Sequence, residues 1–308
     1  MPTTPDRTAR HNRRGLPFAA GDLVQLTDPK HRHHTFPLKD GGTFFTHKGA
    51  LPHDDIIGRP EGIVVTSSGG TAYLCLRPML RDFVLSMKRG ATIVYPKDAA
   101  AIVSLADLFP GARVAEAGAG SGALTITLLQ TVGDAGYVSS YEVREDFARV
   151  AEQNVARWLG PEHPGWRLTV GSVVDHLASE QQLDAVILDL LAPWECIDAA
   201  AAALVPGGVI VGYVATTTQL ARFVETLREH GGYTEPQASE DLVRTWHVEG
   251  LAVRPDHRMI GHTGFLVAAR RLAPGTTALV LRRRPAKGAY GADYTGPRGA
   301  HVPDSTEA

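Results

Sequence analysis

From Gly111 onward, apolar strand-like segments alternate with helix-like segments, and this alternation restricts the fold of the 308-residue chain most. Strands are predicted for "RVAEAGAG", "GYVSSYEV", "WRLTVGS", "LDAVILDL" and "GGVIVGYVAT". Helices are predicted for "GALTITLLQTVG", "EDFARVAEQNVARWLG", 194–204 and 217–230. Such alternation is typical of a mainly parallel, twisted sheet with helices on both faces. The continuous apolar runs "AVILDL" and "VIVGYV" indicate strands buried on both sides. We therefore predict an α/β, Rossmann-like domain.

The segments around this alternation predict the rest of the organisation. Short β-like runs ("GDLVQLTD", "HHTFPLK", "GTFFTHKG" and "GIVVTSSGGTAYLCLRP") indicate a small all-β module over 15–78. The Rossmann-like domain is assigned to 79–278. Within 79–110, "PMLRDFVLSM" reads as a linking helix, and "GATIVYPKDAAAIVSLADLF" as a strand-like piece that runs into a helix. Two later segments, "RTWHVEGLAVRP" and "GHTGFLVAARRLAP", are predicted to pair as closing antiparallel strands. Both chain ends, 1–14 and 279–308, are expected to be disordered tails.

Composition excludes several classes of protein. The chain has a net charge of −2 and no apolar run long enough to span a bilayer. Its basic start lacks the apolar stretch of a secretory signal. The two cysteines, Cys75 and Cys196, have no zinc-ligand spacing, and neither has the histidine-rich "KHRHH". We expect a cytoplasmic protein with no metal site and no membrane contact, and we expect Cys196 to be a buried thiol rather than a nucleophile.

A glycine-rich loop, "EAGAGSGALT", follows the first strand of the alternation, with glycines at 118, 120 and 122. In open α/β sheets, ligands bind at the carboxyl ends of strands, and glycine lets a ligand approach the backbone closely. The spacing E-x-G-x-G-x-G differs from the G-x-G-x-x-G of dinucleotide sites, which place a pyrophosphate at a helix N-terminus. The loop alone remains compatible with NAD, FAD or a tight turn without a ligand.

The acids near this loop favour S-adenosylmethionine, which has no phosphate but carries an ammonium and a carboxylate. Glu116 is assigned to face the ammonium, and the loop N–H groups to face the carboxylate. Glu142, at the end of the next strand, is assigned to the ribose hydroxyls, a role that it would also have with NAD. After "WRLTV", either Ser172 or Asp175 is positioned for the adenine amino group. We assign Asp175, with helix N-capping as the alternative.

The segment "LDAVILDLLAPWE" carries the predicted reaction chemistry, with Asp189 at the end of a buried strand in the pattern D-x-x-x-P-W. Exocyclic-amine methyltransferases carry [DN]-P-P-[YF] at this place. The N1 atom of adenine has an in-plane lone pair, so it needs orientation rather than a base. A carboxylate that accepts a hydrogen bond from the neighbouring N6 amino group orients the ring and stabilises the growing positive charge. Asp189 is that candidate; capping of the next helix is the alternative.

Two aromatic residues complete the predicted base pocket. Trp194 either stacks on the extruded adenine or packs the loop that carries it. Tyr95, just before a predicted helix, lines the base pocket or closes over the cofactor, and we include it with Asp189 as catalytic. Packing within a strand is the alternative for Tyr95.

Taken together, "ATIVYPKDAAAI", "VAEAGAGSGALT", "YEVREDFARVAEQN", "LDLLAPWE" and "GLAVRPDHRMIGHTGFLVAARRLAPG" resemble the tRNA adenine-N1 methyltransferases. The resemblance is to the bacterial, actinobacterial-like branch that modifies adenine 58 of the T-loop, and it covers about residues 15–275. It implies a Rossmann-like catalytic domain, an N-terminal β module, a homotetramer and a tRNA substrate. By position it implies that Ser121 to Leu124, Glu142 and Asp175 hold the cofactor and that Asp189 serves the adenine. With the assignments made above from the residues themselves, the full predicted cofactor-binding set is Glu116, Gly118, Gly120, Ser121, Gly122, Ala123, Leu124, Glu142, Asp175 and Asp189.

Phosphate contacts are predicted for basic groups at both ends of the chain and in the N-terminal module, although for each of them alone a solvated charge is the more common role. These groups are Arg10, Arg13, Arg14, Lys30, Arg32 and the arginines at 282–284. Two alternatives remain open. A protein L-isoaspartate O-methyltransferase shares the cofactor loop, but Asp189 would repel its carboxylate substrate. A non-catalytic RNA-binding subunit would have lost cofactor binding.

Overall fold

The computed structural model describes residues 14–177, 179–276, 278–279 and 289–292, in two compact units. The first unit contains the described residues up to Lys88, together with Ala156–Pro161, and the second contains the rest. Most of the two predicted tails therefore lies outside the described residues. Helix Leu80–Ser86 groups with the first unit, and the predicted domain boundary at 78/79 stays a prediction.

The first unit is an all-β module followed by a short helix. Its elements are β1 (Leu23–Thr27), β2 (His33–Pro37), β3 (Thr43–Thr46), β4 (Gly49–Pro52), β5 (Ile63–Thr66), β6 (Ala72–Leu76) and α1 (Leu80–Ser86). An antiparallel sheet has the strand order β2-β1-β6-β5, and β3 and β4 form a separate hairpin. Apolar side chains alternate inward along the strands; in β6, Tyr73 and Cys75 are buried while their neighbours are exposed. The segment "GIVVTSSGGTAYLCLRP" contains two strands, joined at a turn where Gly70 has φ +78°.

The second unit is built on a seven-stranded sheet, with helices between the strands. Its helices are α2 (Pro96–Leu105), α3 (Ala123–Val132), α4 (Glu145–Leu159, whose end is counted with the first unit), α5 (Val173–Leu177), α6 (Ile197–Ala203) and α7 (Thr217–His230). Its strands are β7 (Arg113–Ala117), β8 (Tyr137–Glu142), β9 (Trp166–Val170), β10 (Leu183–Leu188), β11 (Leu204–Val214), β12 (Gln237–Ser239), β13 (Trp246–Glu249), β14 (Ala252–Pro255) and β15 (Phe265–Arg270).

Sheet order explains where a ligand would bind. The order is β12-β15-β11-β10-β7-β8-β9, with parallel pairing from β9 through β11 and antiparallel pairing at β15 and β12. Strand β7 lies between β8 and β10, so the chain switches direction across the sheet at β7. The loops that follow β7 and β10 therefore meet at this switch, where open α/β sheets bind ligands. The predicted Rossmann-like fold is confirmed.

Two predictions about local structure are wrong. The segments "RTWHVEGLAVRP" and "GHTGFLVAARRLAP" do not pair with each other. The first folds on itself as the β13–β14 hairpin, and β15 pairs with β11 and with β12. The strand-like piece in "GATIVYPKD" is irregular, since the N–H groups of Gly90 and Ala91 donate to the Ser121 hydroxyl and Pro96 then starts α2.

Candidate active site at the switch of strand order

Glycine is required where the loop after β7 passes the end of β10. Gly118 has φ +75°, and a Cβ atom there would lie 2.3 Å from the carbonyl oxygen of Asp189. The Asp189 N–H donates to the Ala117 carbonyl at 2.7 Å, which joins the ends of the two strands. Gly122 has φ +79° at the N-cap of α3, where a Cβ atom would lie 3.2 Å from backbone atoms of Ala151. The loop is therefore held tightly against its neighbours at Gly118 and Gly122.

The beginning of α3 is open to a ligand through its backbone. No side chain of the described residues caps this helix. The Ser121 hydroxyl accepts hydrogen bonds from Gly90 and Ala91, and the Asn154 side chain donates to the Ser121 carbonyl at 2.9 Å. Since the Ser121 hydroxyl is engaged with the 90–91 segment, the backbone N–H groups at the start of α3 are what this loop offers to an anionic group.

Three carboxyl groups gather beneath and beside this loop. Glu142, at the end of β8, accepts hydrogen bonds from the Gly120 N–H at 2.9 Å and the Arg144 N–H at 3.0 Å. Burial raises the pKa of Asp189 to about 7, and the charge of Glu142 adds to this shift. Burial likewise raises the pKa of Glu116 to about 7, with further contributions from Asp189 and Glu142. Burial and the nearby carboxyl charges both disfavour the ionised forms, so the site favours a ligand that brings a positive charge.

Glu116 gives the most specific sign of the ligand chemistry that this site suits. Its side chain is fully buried, and one oxygen, Oε2, accepts from the hydroxyls of Thr125 and Ser140, both at 2.6 Å. Its other oxygen, Oε1, is buried and has no hydrogen-bond partner among the described residues. An unpartnered buried acceptor is costly, so this position favours a cationic or hydrogen-bond-donating ligand group.

Two family matches decide what kind of protein carries this site. Residues 17–65 match the TrmI-like N-terminal family, and residues 72–253 match the family of the tRNA methyltransferase complex GCD14 subunit. The chain belongs to the GCD14 family of tRNA methyltransferases.

Individual relatives agree with the GCD14 assignment. The chain is 40% identical over 246 residues to a Thermus thermophilus tRNA (adenine(58)-N(1))-methyltransferase TrmI, covering 80% of this chain and 95% of the relative. It is 32% identical over 252 residues to a Methanocaldococcus jannaschii TrmI that is named for adenines 57 and 58, covering 74% and 87%. The resemblance predicted from the sequence is confirmed.

Solved structures show the same fold. The Aquifex aeolicus tRNA (m1A58) methyltransferase TrmI has a TM-score of 0.72 at 26% identity, covering 83% of this chain and 99% of that one. A SAM-dependent O-methyltransferase from Thermotoga maritima has a TM-score of 0.77 at 29% identity, covering 84% and 96%.

The remaining residues predicted for the GCD14-family site differ in their surroundings. Asp175 is exposed in the first turn of α5, and Ser172 directly precedes that helix. Tyr95 is half-buried at the N-cap of α2. Ala123 and Leu124 are buried in the first turn of α3. These positions are compatible with the assigned roles, which stay predictions.

The two alternatives left open for Trp194 are separated by its contacts. The guanidinium carbon of Arg222 lies 4.2 Å from the centre of its ring, and the ring packs against the buried core. The Gln219 side chain, at the start of α7, donates to the Leu191 carbonyl at 2.9 Å in the same loop. These contacts favour a packing role for Trp194.

Both cysteines are buried, and burial raises the pKa of each thiol to about 11, which is unsuited to a nucleophile.

One cluster near the site was not predicted from the sequence. Lys97, in the first turn of α2, donates from Nζ to Asp98 Oδ1 at 2.6 Å, to the Asp241 carbonyl at 2.7 Å and to Thr263 Oγ1 at 2.6 Å. Asp98 is fully buried, and the Tyr213 hydroxyl donates to its other oxygen at 3.3 Å. The only signal in the sequence is the lysine–aspartate pair that follows Tyr95 and Pro96.

Proposed function

We propose that this protein transfers the methyl group of S-adenosylmethionine to N1 of adenine 58 in the T-loop of tRNA. One observation carries the proposal: in a chain 40% identical to a tRNA adenine-58 methyltransferase, Asp189 stands at the switch of strand order with a carboxyl group of raised pKa. An acid at this point suits an acceptor that presents a hydrogen-bond donor beside its nucleophilic atom, as adenine does with its N6 amino group.

The residues of the site fit this cofactor. S-adenosylmethionine, when bound, supplies an electrophilic methyl group and a positive charge. Glu116 Oε1, buried and without a partner among the described residues, provides an acceptor near which an ammonium would relieve the carboxyl repulsion. The open start of α3 provides N–H groups for a carboxylate, and Glu142 keeps acceptor capacity for ribose hydroxyls beyond its two backbone contacts. We assign Asp175 to the adenine of the cofactor.

Asp189 is the residue that acts on the substrate base. As a carboxylate it accepts a hydrogen bond from the adenine N6 amino group, which orients the N1 lone pair toward the methyl group. The same charge stabilises the positive charge that develops on the base. Its backbone N–H is fixed on Ala117, so the carboxyl group is carried by a rigid strand end rather than by a mobile loop.

A homo-oligomer, specifically a tetramer, is part of the proposal, and the β13–β14 hairpin supports association. Trp246, Val248 and Val253 are each more than half exposed, and Val248 lies directly opposite Val253. Because Trp246 and Val248 are two residues apart, the three side chains share one face of the hairpin. A contiguous exposed apolar face of this kind is typical of a protein interface.

None of the described helices is long and apolar enough to cross a membrane. As a separate part of the proposal, we place the reaction in the cytoplasm, with the tRNA.

One experiment tests this function. Labelled methyl from S-adenosylmethionine is offered with unmodified tRNA, the product nucleosides are separated, and primer extension locates the modified base. We expect 1-methyladenosine and a stop at position 58. Label in protein or small molecules but not in RNA would overturn the proposal and favour the O-methyltransferase chemistry named for the Thermotoga relative. Cofactor binding without any methyl transfer would indicate a non-catalytic subunit.

A further inference from the structure

A groove in the N-terminal module has the composition of a site for unstacked RNA bases. It has a volume of about 590 Å³ and lies among residues of β2, β3 and the turn between them, with His53 on a further side. This volume lies within the range of pockets that hold small organic ligands. It lies wholly within the first unit and contains none of the residues assigned to methyl transfer.

Aromatic rings form most of its lining. Phe36 stacks on Phe44 at a centroid distance of 4.8 Å with a 12° angle between the rings, and on His53 at 5.0 Å with 25°. His34 tilts against Phe44 at 5.2 Å. Phe36 and Phe44 also pack against the buried core of the module, so these rings form a rigid floor.

Phe45 differs from the other rings, since it is 76% exposed and has no ring contact among the described residues. It follows Phe44 on β3 and pairs across the hairpin with Ala50, which is too small to cover it. A large, exposed phenylalanine on a short strand beside a groove presents a free face on which a base can stack. A single exposed apolar residue needs no explanation by itself. Because successive strand residues face opposite sides, the Phe45 ring lies on the other face of the hairpin from Phe44, at the border of the groove.

The charge that lines the groove is that of Lys39, and no carboxylate of the described residues lines it. Over residues 28–55 the four cations Lys30, Arg32, Lys39 and Lys48 are matched in number by Asp28, Asp40, Asp54 and Asp55, so the groove is cationic only at its lining. Arg32 is paired with Asp28 at 2.6 Å, but Lys39, which lines the groove, and Lys48 have no ion-pair partner among the described residues.

His53 adds a neutral polar group to the lining. Its Nδ1 atom accepts a hydrogen bond from the Lys39 N–H at 3.0 Å, which places the ring proton on Nε2. Burial lowers the pKa of His53, so the ring stays neutral near pH 7. A neutral N–H donor among aromatic rings matches the hydrogen-bonding edge of a base better than it matches a phosphate.

From these contacts we infer that the groove binds one or more unstacked bases of the tRNA substrate, with Phe45 stacking on a base and Lys39 and Lys48 meeting the adjoining phosphates. The inference rests on the proposed function, because it takes tRNA as the substrate. Aromatic rings beside unpaired cations are the combination with which proteins bind single-stranded nucleic acid. This module would therefore add substrate affinity that does not depend on the methyl-transfer residues.

The test compares the full-length wild-type protein with Phe45→Ala, measuring the dissociation constant for unmodified tRNA at fixed salt. Removal of one base–aromatic stack predicts binding weaker by roughly 5- to 150-fold. Phe45→Trp, which keeps a stacking face, is expected to bind within about threefold of wild type. The matched control is Phe109→Ala, which removes a phenylalanine that is 49% exposed in the second unit, outside the groove. It should bind tRNA as wild type does.

Salt dependence supplies a second measurement. Replacing both Lys39 and Lys48 with alanine should lower the slope of log Kd against log salt by about one for each phosphate that the protein no longer neutralises, whereas Phe45→Ala should leave the slope unchanged.

Methylation of tRNA by the wild-type protein is measured in parallel. If the wild-type protein does not methylate tRNA, the proposed function itself is contradicted, and not only the inference about the groove. If wild type methylates tRNA and Phe45→Ala binds it equally well, the groove inference is overturned. It is also overturned if Phe45→Ala changes the oligomeric mass at unchanged tRNA affinity, since the groove would then hold a second copy of the chain.

Discussion

At the scale of single residues, Asp189 is the group on which the proposed reaction depends most. Asp189→Ala should lower kcat by about two to four powers of ten, because it removes both the orienting acceptor and the stabilising charge. The dissociation constant for S-adenosylmethionine should change much less than kcat does, because the other predicted cofactor-binding residues remain. Since the pKa of the Asp189 carboxyl is about 7, wild-type kcat/KM should fall as pH decreases below 7, when protonation removes the acceptor. Single-turnover rates and calorimetry test both parts; unchanged turnover in the variant would exclude this role.

Replacing Glu142 should affect cofactor binding more than turnover, the reverse of the effect expected for Asp189. The Glu142 carboxylate accepts two backbone hydrogen bonds beside the glycine loop, and two ribose hydroxyls are proposed to bind it as well. Glu142→Ala should therefore raise the Kd of S-adenosylmethionine by roughly 10- to 100-fold, the loss expected for hydrogen bonds to a charged group. Activity at saturating cofactor should fall less. Calorimetric titration measures the change, and a wild-type Kd in this variant would remove Glu142 from the cofactor site.

The buried carboxyl of Glu116 makes stability depend on pH. Its pKa is about 7 in the folded protein, against an ordinary value of 4.5, so the folded state binds the proton more tightly than the unfolded state. The stabilisation is fully present below about pH 4.5 and is lost as pH rises through 7, an effect on the order of 1–3 kcal/mol. Glu116→Gln, which cannot ionise, should flatten this part of the profile. Denaturant unfolding between pH 5 and 8 measures both proteins; identical slopes would show that Glu116 does not titrate in this range.

At the scale of elements, the parallel sheet was predictable and its antiparallel edge was not. Apolar runs such as "AVILDL" identify a central strand because both of its faces are buried. Strand β12, "QAS", is exposed throughout, and only its pairing with β15 makes it a strand. The apolar "ATIVY" is not a strand, because it pairs with no strand among the described residues, and its first N–H group, that of Ala91, donates to the Ser121 hydroxyl instead. Likewise, the acids of the site lie at predictable strand ends, whereas the contact between Lys97 and Thr263 joins residues 166 positions apart.

The contacts of the Lys97 side chain give a prediction about the stability of the protein around α2. Lys97 neutralises the fully buried Asp98 and connects the first turn of α2 to the Asp241 carbonyl and to Thr263. Lys97→Met leaves a buried charge unpaired and should lower the free energy of unfolding by about 3–5 kcal/mol. Adding Asp98→Asn to Lys97→Met should recover part of this loss, because the buried charge is removed as well. Denaturant titration of the two variants tests the pair, and equal stability of the single and double variants would contradict it.

At the scale of the whole molecule, the exposed apolar face of the β13–β14 hairpin should be covered by another copy of the chain. Val248→Lys with Val253→Lys places two charges opposite each other on that face, where like charges also repel across the strands. We expect this variant to have a lower mass by light scattering than the wild-type oligomer. The matched control is Glu249→Lys with Ala252→Lys. These two residues also lie directly opposite each other, but their side chains are on the other face of the hairpin, so this variant should keep the wild-type mass. A wild-type mass in the Val248 and Val253 variant would show that the hairpin face is not an interface. A lower oligomeric mass in the Val248 and Val253 variant, with an unchanged free energy of unfolding, would show that this face mediates the association that the family resemblance implies.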